Sequence, residues 1–161
     1  MQRPWRRALA VRLSIHLVFG AALPAQACWD DAAQRYQVSS ALLYAIARTE
    51  SGLNPQAIGR NGNGSRDIGL MQINSAWLPT LASHGINEGD LFEPCTNIQV
   101  GAWILAGNIR RLGYTWNAVG AYNAASPALR RAYIEKVRRH LPAAIPASAP
   151  PARRMTFASL R

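Results

Sequence analysis

Residues 39–75 of this 161-residue chain read SSALLYAIARTESGLNPQAIGRNGNGSRDIGLMQINS. The first part predicts a helix that ends near Glu50, because Ser39 is a suitable N-cap and the apolar residues after it recur at helical spacing. An Asn-Pro pair ends that helix, and the glycine- and asparagine-rich run at 59–65 favours the tight turn of a small β-hairpin. A helix followed by a short hairpin indicates a mostly α fold of the α+β class.

Further helices are predicted on both sides of this stretch. They cover residues 30–36, residues 97–112, a piece that Thr115 opens, and a last helix from Pro127 to about Leu141. The helix over 97–112 carries an amphipathic apolar stripe, and Gly113 suits its C-cap. Residues 28–141 therefore form one domain. Residues 142–161, rich in proline and alanine and without apolar period, are predicted to be a disordered tail.

Two carboxylates carry the prediction of an enzyme. Glu50 lies four residues after Ile46 and seven after Leu43, so it falls on the apolar face of its helix. Partial burial raises the pKa of a carboxyl group, as a general acid near neutral pH requires, and a solvated glutamate at a frayed helix end is the alternative. Asp67 follows the glycine-rich turn, and a hairpin folded over Glu50 would put the two on opposite sides of a groove. On spacing alone, a turn residue or an ion pair with Arg66 or Arg60 is the favoured interpretation of Asp67.

Four polar residues are candidates for binding a sugar. Gln72 and Asn74 are amides set among apolar residues, and buried amides must be hydrogen-bonded, so they either brace the fold or bind a ligand. Tyr122 and Asn123 combine a flat amphipathic ring with an amide, a pairing that sugar sites and ordinary helix contacts both use. Three tryptophans of the domain are interpreted as core residues: Trp77, Trp103 and Trp116.

The first 27 residues have the parts of a secretory signal peptide: several arginines, a short apolar run at 13–23 and an Ala-Gln-Ala ending. The run is shorter than the roughly 20 residues of a spanning helix, so cleavage after Ala27 is expected, with no membrane span afterwards. A retained anchor and a lipoprotein on Cys28 are the alternatives. Cleavage lowers the formal net charge from +10 to +6, because it removes four arginines and no acidic residue. This charge favours an anionic partner. No nucleic-acid motif is visible in the sequence. The predicted export therefore favours the cell wall as the anionic partner, and it favours a periplasmic location.

Cys28 and Cys95 are the only two cysteines. In an oxidising compartment an even pair predicts a disulfide, which would tie the start of the exported chain to its middle. A catalytic thiol is disfavoured because no Cys-His arrangement stands out. Metal binding is disfavoured because the three histidines are isolated from one another. We therefore predict neither a metal nor a cofactor.

Three ordered motifs resemble those of the lytic transglycosylase (transglycosylase SLT) family: Glu50-Ser51-Gly52-Leu53-Asn54-Pro55, Gly69-Leu70-Met71-Gln72-Ile73 and Ala121-Tyr122-Asn123-Ala124. The resemblance covers residues 28–140 and implies a lysozyme-like fold with the hairpin over an active-site groove. It implies that Glu50 is the sole acid/base catalyst and that four residues bind substrate: Ser51, Gln72, Tyr122 and Asn123. The family motif has glycine where this chain has Ala125, and strain is expected there if that glycine needs a positive φ.

Two further resemblances bear on function. Residues 61–75 are similar to the active-site hairpin of c-type lysozymes, and the separation of 17 between Glu50 and Asp67 matches the two lysozyme carboxylates. A Cys-Trp start after the signal and an aspartate before the Gly-Leu-Met-Gln run resemble the small transglycosylases that accompany type III and type IV secretion or conjugation machines. Components of such a machine are therefore expected partners, beside peptidoglycan itself.

The transglycosylase resemblance implies cleavage of the β-1,4 bond between N-acetylmuramic acid and N-acetylglucosamine. The product would be a 1,6-anhydro end, formed without water or a cofactor. One alternative is a hydrolytic muramidase that uses Asp67 beside Glu50 as nucleophile or electrostatic partner. A second is a wall-binding module without catalysis, which the basic charge and the aromatic residues fit equally well.

Overall fold

The computed structural model describes residues 24–142. The helices are α1 (Pro24–Tyr36), α2 (Ser40–Glu50), α3 (Leu78–Ala82), α4 (Pro94–Leu112), α5 (Trp116–Asn123) and α6 (Pro127–Arg138). The strands are β1 (Ile58–Arg60), β2 (Arg66–Ile68) and β3 (Ile73–Asn74), and 3-10 turns occupy Ser75–Trp77 and Gly89–Phe92. The described chain thus has the predicted class, mostly α with a small β element.

Three helices begin where the sequence predicts because a side chain caps each of them. Ser39, Thr115 and Ser126 each accept a hydrogen bond from a backbone N–H in the first turn of α2, α5 and α6. Each bond satisfies an N–H that has no partner within its own helix. The starts of these helices are therefore determined by local sequence.

Other boundaries differ from the predicted ones. α1 begins at Pro24 instead of residue 30, and α4 begins at Pro94 instead of residue 97. Proline suits the first turn of α4, because an N–H at that position would have no helical partner. α6 ends at Arg138, short of the predicted Leu141. The apolar stripes gave the faces of these helices correctly, but their ends depend on residues outside the stripes.

The core is built around α4, which contacts α1, α2 and α5. Its predicted stripe is buried at Ile98, Ala102, Leu105 and Ile109. Burying each large aliphatic side chain contributes roughly 1.5–3 kcal/mol. α2 is fixed between α1, α4 and α6, so the position of its last residue is set by packing on several sides.

The predicted hairpin exists as β1 and β2, and it is extended by a third strand that was not predicted. The antiparallel sheet has the order β1-β2-β3. Asp67 is paired with Gly59 on one side and with Asn74 on the other. The two-residue strand β3 is too short to show alternation in the sequence.

A disulfide joins Cys28 of α1 to Cys95 of α4, with 5.3 Å between their Cα atoms. This confirms the predicted pairing. The predicted signal peptide lies outside the described residues up to residue 23, and the predicted tail lies outside them from residue 143. Within the described part of the chain, no helix has the length and apolarity needed to cross a membrane.

Candidate active site

A groove of about 560 Å³ lies where the end of α2, the sheet and the end of α5 meet. It brings together most of the residues that the sequence singled out: Glu50, Asp67, Gln72, Asn74, Tyr122 and Asn123. The volume falls within the range of ordinary ligand sites. The other lining residues are the polar or small Asn61, Gly62, Asn63 and Ser65 and the apolar Ile73, Trp77 and Ile104. Such a lining suits a ligand rich in hydroxyl and amide groups.

Glu50 is the last residue of α2 and has an environment that favours its protonated form. Burial is the main cause that raises its pKa from 4.5 to about 7, and the negative charge of Asp67 adds to the rise. Two groups act in the opposite direction: the hydroxyl of Tyr133, which donates a 2.6 Å hydrogen bond to Glu50 Oε1, and the charge of Lys136. The carboxyl group can therefore both donate and accept a proton near neutral pH, as acid/base catalysis requires.

Asp67 on β2 has both carboxylate oxygens engaged by amides. Asn74 Nδ2 donates to Oδ1 at 2.7 Å, and Asn61 Nδ2 donates to Oδ2 at 2.9 Å. The ion pair with Arg66, offered as an alternative from spacing, is wrong, because Arg66 pairs with Glu88 at 2.7 Å. Asp67 is thus a fixed negative charge in the same groove as Glu50.

Asn74 lines the groove, but its amide is occupied by the protein. Besides its bond to Asp67, Nδ2 donates to Ser65 Oγ at 3.1 Å, and Oδ1 accepts from the N–H of Ala76 at 3.0 Å. These bonds hold Asp67 and cap the following 3-10 turn. The predicted binding role of Asn74 stays a prediction, and the observed contacts favour positioning of Asp67.

Gln72 lies in the loop between β2 and β3, and packing of this loop against Asn97 of α4 fixes its shape. The backbone of Gln72 has a φ of 51°, a left-handed conformation that is strained for a non-glycine residue. Its side chain donates to the carbonyl of Gly69 at 2.8 Å. Gly69 has a φ of 74°, and a Cβ there would lie 2.3 Å from Asn97 Nδ2, so only glycine fits. This close packing holds Gln72 at the groove wall.

Ser51 does not line the groove. Its hydroxyl donates to the carbonyl of Leu70 at 2.7 Å and accepts from the N–H of Asn54 at 3.0 Å. These bonds tie the end of α2 to the Gln72 loop, and so they set the distance between Glu50 and that loop. The predicted substrate-binding role of Ser51 stays a prediction, since its hydroxyl already has protein partners.

Tyr122 and Asn123 end α5 at the groove. The Tyr122 hydroxyl donates to the carbonyl of Met71 at 3.0 Å. Burial, with smaller contributions from Glu50 and Asp67, raises the pKa of Tyr122 well above its usual value, so the hydroxyl stays protonated. Asn123 is exposed and lines the groove, so its amide is accessible to a ligand.

The strain expected at Ala125 is absent. Among the described residues, the non-glycine residues with a positive φ are Gln37, Leu53 and Gln72. Ala125 therefore adopts a conformation that any L-residue can take. The loop after α5 does not need the glycine of the family motif.

Two contributors to the site were not recognised from the sequence. Tyr133 lies between residues of a buried helical stripe and was indistinguishable from core, since nothing in the sequence connects it with Glu50. Trp77 was interpreted as core, but it is 37% exposed and lines the groove. Its ring packs edge-on against Trp103, with centroids 5.2 Å apart. Trp116, also 37% exposed, stacks against Arg138 instead of lying in the core.

No group of three or more His, Cys, Asp or Glu side chains is placed to hold a metal ion within residues 24–142. The chemistry available in the groove comes from two carboxyl groups, several amides and the protonated hydroxyl of Tyr122, while Tyr133 contacts Glu50 from outside the groove. A proton can be given and taken back at Glu50, and positive charge can be stabilised beside Asp67.

The comparisons with known proteins agree with this arrangement. The family model described as "Transglycosylase SLT domain" matches residues 27–140. Invasion protein IagB of Salmonella typhimurium (strain SL1344) is 47% identical over 115 residues, which cover 68% of this chain and 72% of IagB. Protein IpgF of Shigella flexneri is 44% identical over 100 residues, covering 62% of this chain and 66% of IpgF.

Two further relatives extend the comparison. A "Peptidoglycan-binding-like protein" of Escherichia coli O157:H7 is 36% identical over 132 residues, covering 77% of this chain and 79% of that protein. An inactive mutant of lytic transglycosylase Slt from Pseudomonas aeruginosa matches with a TM-score of 0.59 and 24% identity, over 71% of this chain and 23% of that structure. The structural likeness shows a shared fold, and it confirms the predicted lysozyme-like fold.

Proposed function

The chain belongs to the transglycosylase SLT domain family, and on that premise we propose that it is a peptidoglycan lytic transglycosylase with Glu50 as its acid/base. The observation that carries the proposal is the buried carboxyl of Glu50, with a pKa of about 7, in a groove lined by amides and hydroxyls. A wall-binding module would have no need for a carboxyl group held in this state, because burying an ionisable group destabilises its charged form.

In the proposed reaction, Glu50 protonates the oxygen that links C1 of N-acetylmuramic acid to N-acetylglucosamine. As that bond breaks, positive charge develops at C1, and the fixed charge of Asp67 stabilises it. Glu50, now ionised, removes the proton of the muramoyl 6-hydroxyl while its oxygen attacks C1. The products are a 1,6-anhydromuramoyl end and a free 4-hydroxyl, and Glu50 is protonated again. A pKa near neutral pH suits both halves of this cycle.

One observation favours the hydrolytic alternative. Asp67 is held by Asn61 and Asn74 in the same groove as Glu50, and a glycosidase with two carboxylates needs such an arrangement. In that case water would take the place of the 6-hydroxyl and the products would carry reducing ends. We favour the first reaction because it needs a single acid/base, and Glu50 has the pKa near neutral pH that this role requires.

Mass spectrometry of the products from purified sacculi distinguishes the two. We expect muropeptides lighter by one water than their hydrolytic counterparts, Asp67→Asn with part of the activity left, and Glu50→Gln slower by about 100-fold or more. Two results together would show a hydrolytic muramidase instead. The main products would carry reducing ends, and Asp67→Asn would be as inactive as Glu50→Gln. A folded Glu50→Gln protein that clears sacculi near the wild-type rate would favour a binding module.

We also propose export to the periplasm with cleavage after Ala27, and local opening of the wall for a secretion or conjugation apparatus. The signal-like composition of residues 1–27 and the similarity to the invasion protein IagB support this. N-terminal sequencing of periplasmic material should begin at Cys28. Deleting the gene for this chain should reduce secretion or conjugation. A gene copy that encodes the active enzyme should restore the function, and a copy with Glu50→Gln should not.

A further inference from the structure

Lys136 is the only lysine in the chain, and it lies in a second cavity beside Glu50. This cavity, of about 470 Å³, is formed by the ends of α2 and α5 and by α6. Glu50 and Asn123 line both this cavity and the groove described above. The two spaces therefore meet at the catalytic acid, and a strand of sugars bound across Glu50 would pass from one to the other.

The two cavities have different chemistry. The groove on the sheet side has five amide side chains among its lining residues and carries the negative charge of Asp67. The second cavity is more apolar, and Lys136 is the one basic residue that lines it. Besides Glu50, Asn123 and Lys136, its lining residues are Thr49, Ala124, Ala125, Leu129, Ala132 and Tyr133. One side thus suits neutral sugar hydroxyls, and the other suits a ligand with both methyl groups and negative charge.

The charge of Lys136 has no carboxylate partner in the described residues. The ion pairs there join Arg35 to Asp31, Arg66 to Glu88 and Arg138 to Glu135. Lys136 acts on Glu50 only at a distance, and Glu50 is neutral in the state that begins the reaction. Lys136 is exposed, so its ammonium group is accessible to a ligand and can form charge-assisted hydrogen bonds with an anion.

In the proposed substrate, the sugars are neutral and the negative charge is carried by the carboxylates of the peptide on the muramoyl lactyl group. That peptide begins with alanine and continues with an acidic residue, which matches a cavity of methyl groups and one cation. We propose that Lys136 binds a carboxylate of the stem peptide on the side of Glu50 away from the sheet, and so selects strands that bear peptides. This inference rests on the proposed glycan-cleaving function.

The test compares two substrates of matched length: glycan strands with their stem peptides, and the same strands after a carbodiimide and ammonia have converted the peptide carboxylates to amides. The readout is the ratio of kcat/KM on the first substrate to kcat/KM on the second. Because Lys136 also lowers the pKa of Glu50, a general change in acid strength affects both substrates and cancels in the ratio. Lys136→Met removes the charge and keeps the length of the side chain.

We expect the ratio to fall about 10-fold in Lys136→Met, mainly through KM, as removal of one charge-assisted hydrogen bond predicts. Lys136→Arg should keep most of the preference. Arg131→Met is the matched control, since it removes one positive charge from the same helix outside both cavities. An unchanged ratio in Lys136→Met, or an equal fall in Arg131→Met, would overturn the inference. Wild-type protein that cleaves neither substrate would refute the proposed function instead.

Discussion

The single most consequential group is the carboxyl of Glu50, because the burial that suits it to catalysis also opposes stability. The folded state holds its proton up to a pH of about 7, whereas the ordinary pKa is 4.5. Between these values the folded chain binds more protons than the unfolded chain, so the free energy of unfolding decreases as pH rises. The contribution of Glu50 to the free energy of unfolding is constant below pH 4.5, and it is fully lost above a pH of about 7.

Glu50→Gln should therefore be more stable than the wild type at high pH but not at low pH. We expect a gain of about 1–3 kcal/mol near pH 8, because the buried amide carries no charge, and almost none near pH 4. Thermal unfolding of both proteins at the two pH values measures this. A stability difference that does not change with pH would show that the pKa of Glu50 is not shifted on folding.

The hydroxyl of Tyr133 should set the alkaline limit of activity. Its 2.6 Å hydrogen bond stabilises the ionised form of Glu50 and so lowers the pKa of that carboxyl. Tyr133→Phe should raise this pKa, and the fall of kcat/KM at high pH should move up by about 0.5–1 unit. The maximal rate should decrease, because the carboxyl loses a group that orients it.

The control for this variant is Tyr44→Phe, an exposed tyrosine whose ring packs edge-on against Trp29, outside the groove. It should leave the pH profile unchanged. If Tyr133→Phe lowers the rate without moving the alkaline limb, the hydrogen bond serves packing and not the titration of Glu50.

At the residue scale, the sequence predicted the partial burial of Glu50 but not its hydrogen-bond partner. The apolar face of α2 is a local pattern, and the raised pKa of Glu50 follows from burial on that face. Tyr133 is separated from Glu50 by 83 positions and lies in an ordinary buried stripe. Its role depends on the packing of α6 against α2, which no local pattern encodes.

At the scale of elements, the groove depends on one buried residue of α4. Asn97 Oδ1 accepts from the N–H of Met71 at 2.7 Å, and its Nδ2 donates to the carbonyls of Ile68 and Leu91 at 2.9 and 2.7 Å. These bonds give a buried partner to the backbone of Met71, which lies in the loop after β2, and they join α4 to the end of β2 and to the 3-10 turn Gly89–Phe92. The loop that carries Gln72 is thereby attached to the central helix.

Asn97→Ala should lower the free energy of unfolding by about 2–4 kcal/mol, because three buried backbone groups are left without partners. Urea denaturation measures the change. Asn108→Ala is the matched control on the same helix, since Asn108 is buried but accepts only one hydrogen bond, from Arg111, and its Nδ2 has no partner. Equal losses in both variants would show that cavity formation, not hydrogen bonding, dominates.

The elements themselves were predictable to the extent that their signals are local. Ser39, Thr115 and Ser126 cap helices at the predicted positions, and the hairpin forms around the predicted turn. Strand β3, α3 and the 3-10 turns were missed because each is too short to show a period. The sequence predicts only that Asn97 begins a helix. Its hydrogen-bond partners lie in other segments of the chain, whose path no local pattern gives.

At the scale of the whole molecule, the groove and the cavity beside Glu50 are assembled from parts that are distant in the chain: α2, the sheet, α5 and α6. Each contacts the others directly or through α4. The sequence could give the order of these parts through their motifs, and the resemblance gave the fold. The continuity of the two cavities at Glu50 emerges only from the packing.

The disulfide fixes the start of this assembly. Cys28 and Cys95 are 67 positions apart, and their bond attaches α1 to the helix at the centre of the core. If the signal is cleaved after Ala27, Cys28 becomes the first residue, so the bond also fixes the terminus of the mature chain. Closing a loop of this length restricts the unfolded state and should contribute roughly 2–4 kcal/mol.

The double variant Cys28→Ser, Cys95→Ser should therefore unfold at a lower urea concentration than the wild type. It should still cleave sacculi at room temperature. Cleavage should persist because neither cysteine lines the groove or the cavity beside Glu50. Thiol titration of denatured, unreduced periplasmic protein should find no free thiol, and two free thiols would refute the bond in the cell. A double variant with wild-type stability would instead show that packing of α1 on α4 suffices without the covalent link.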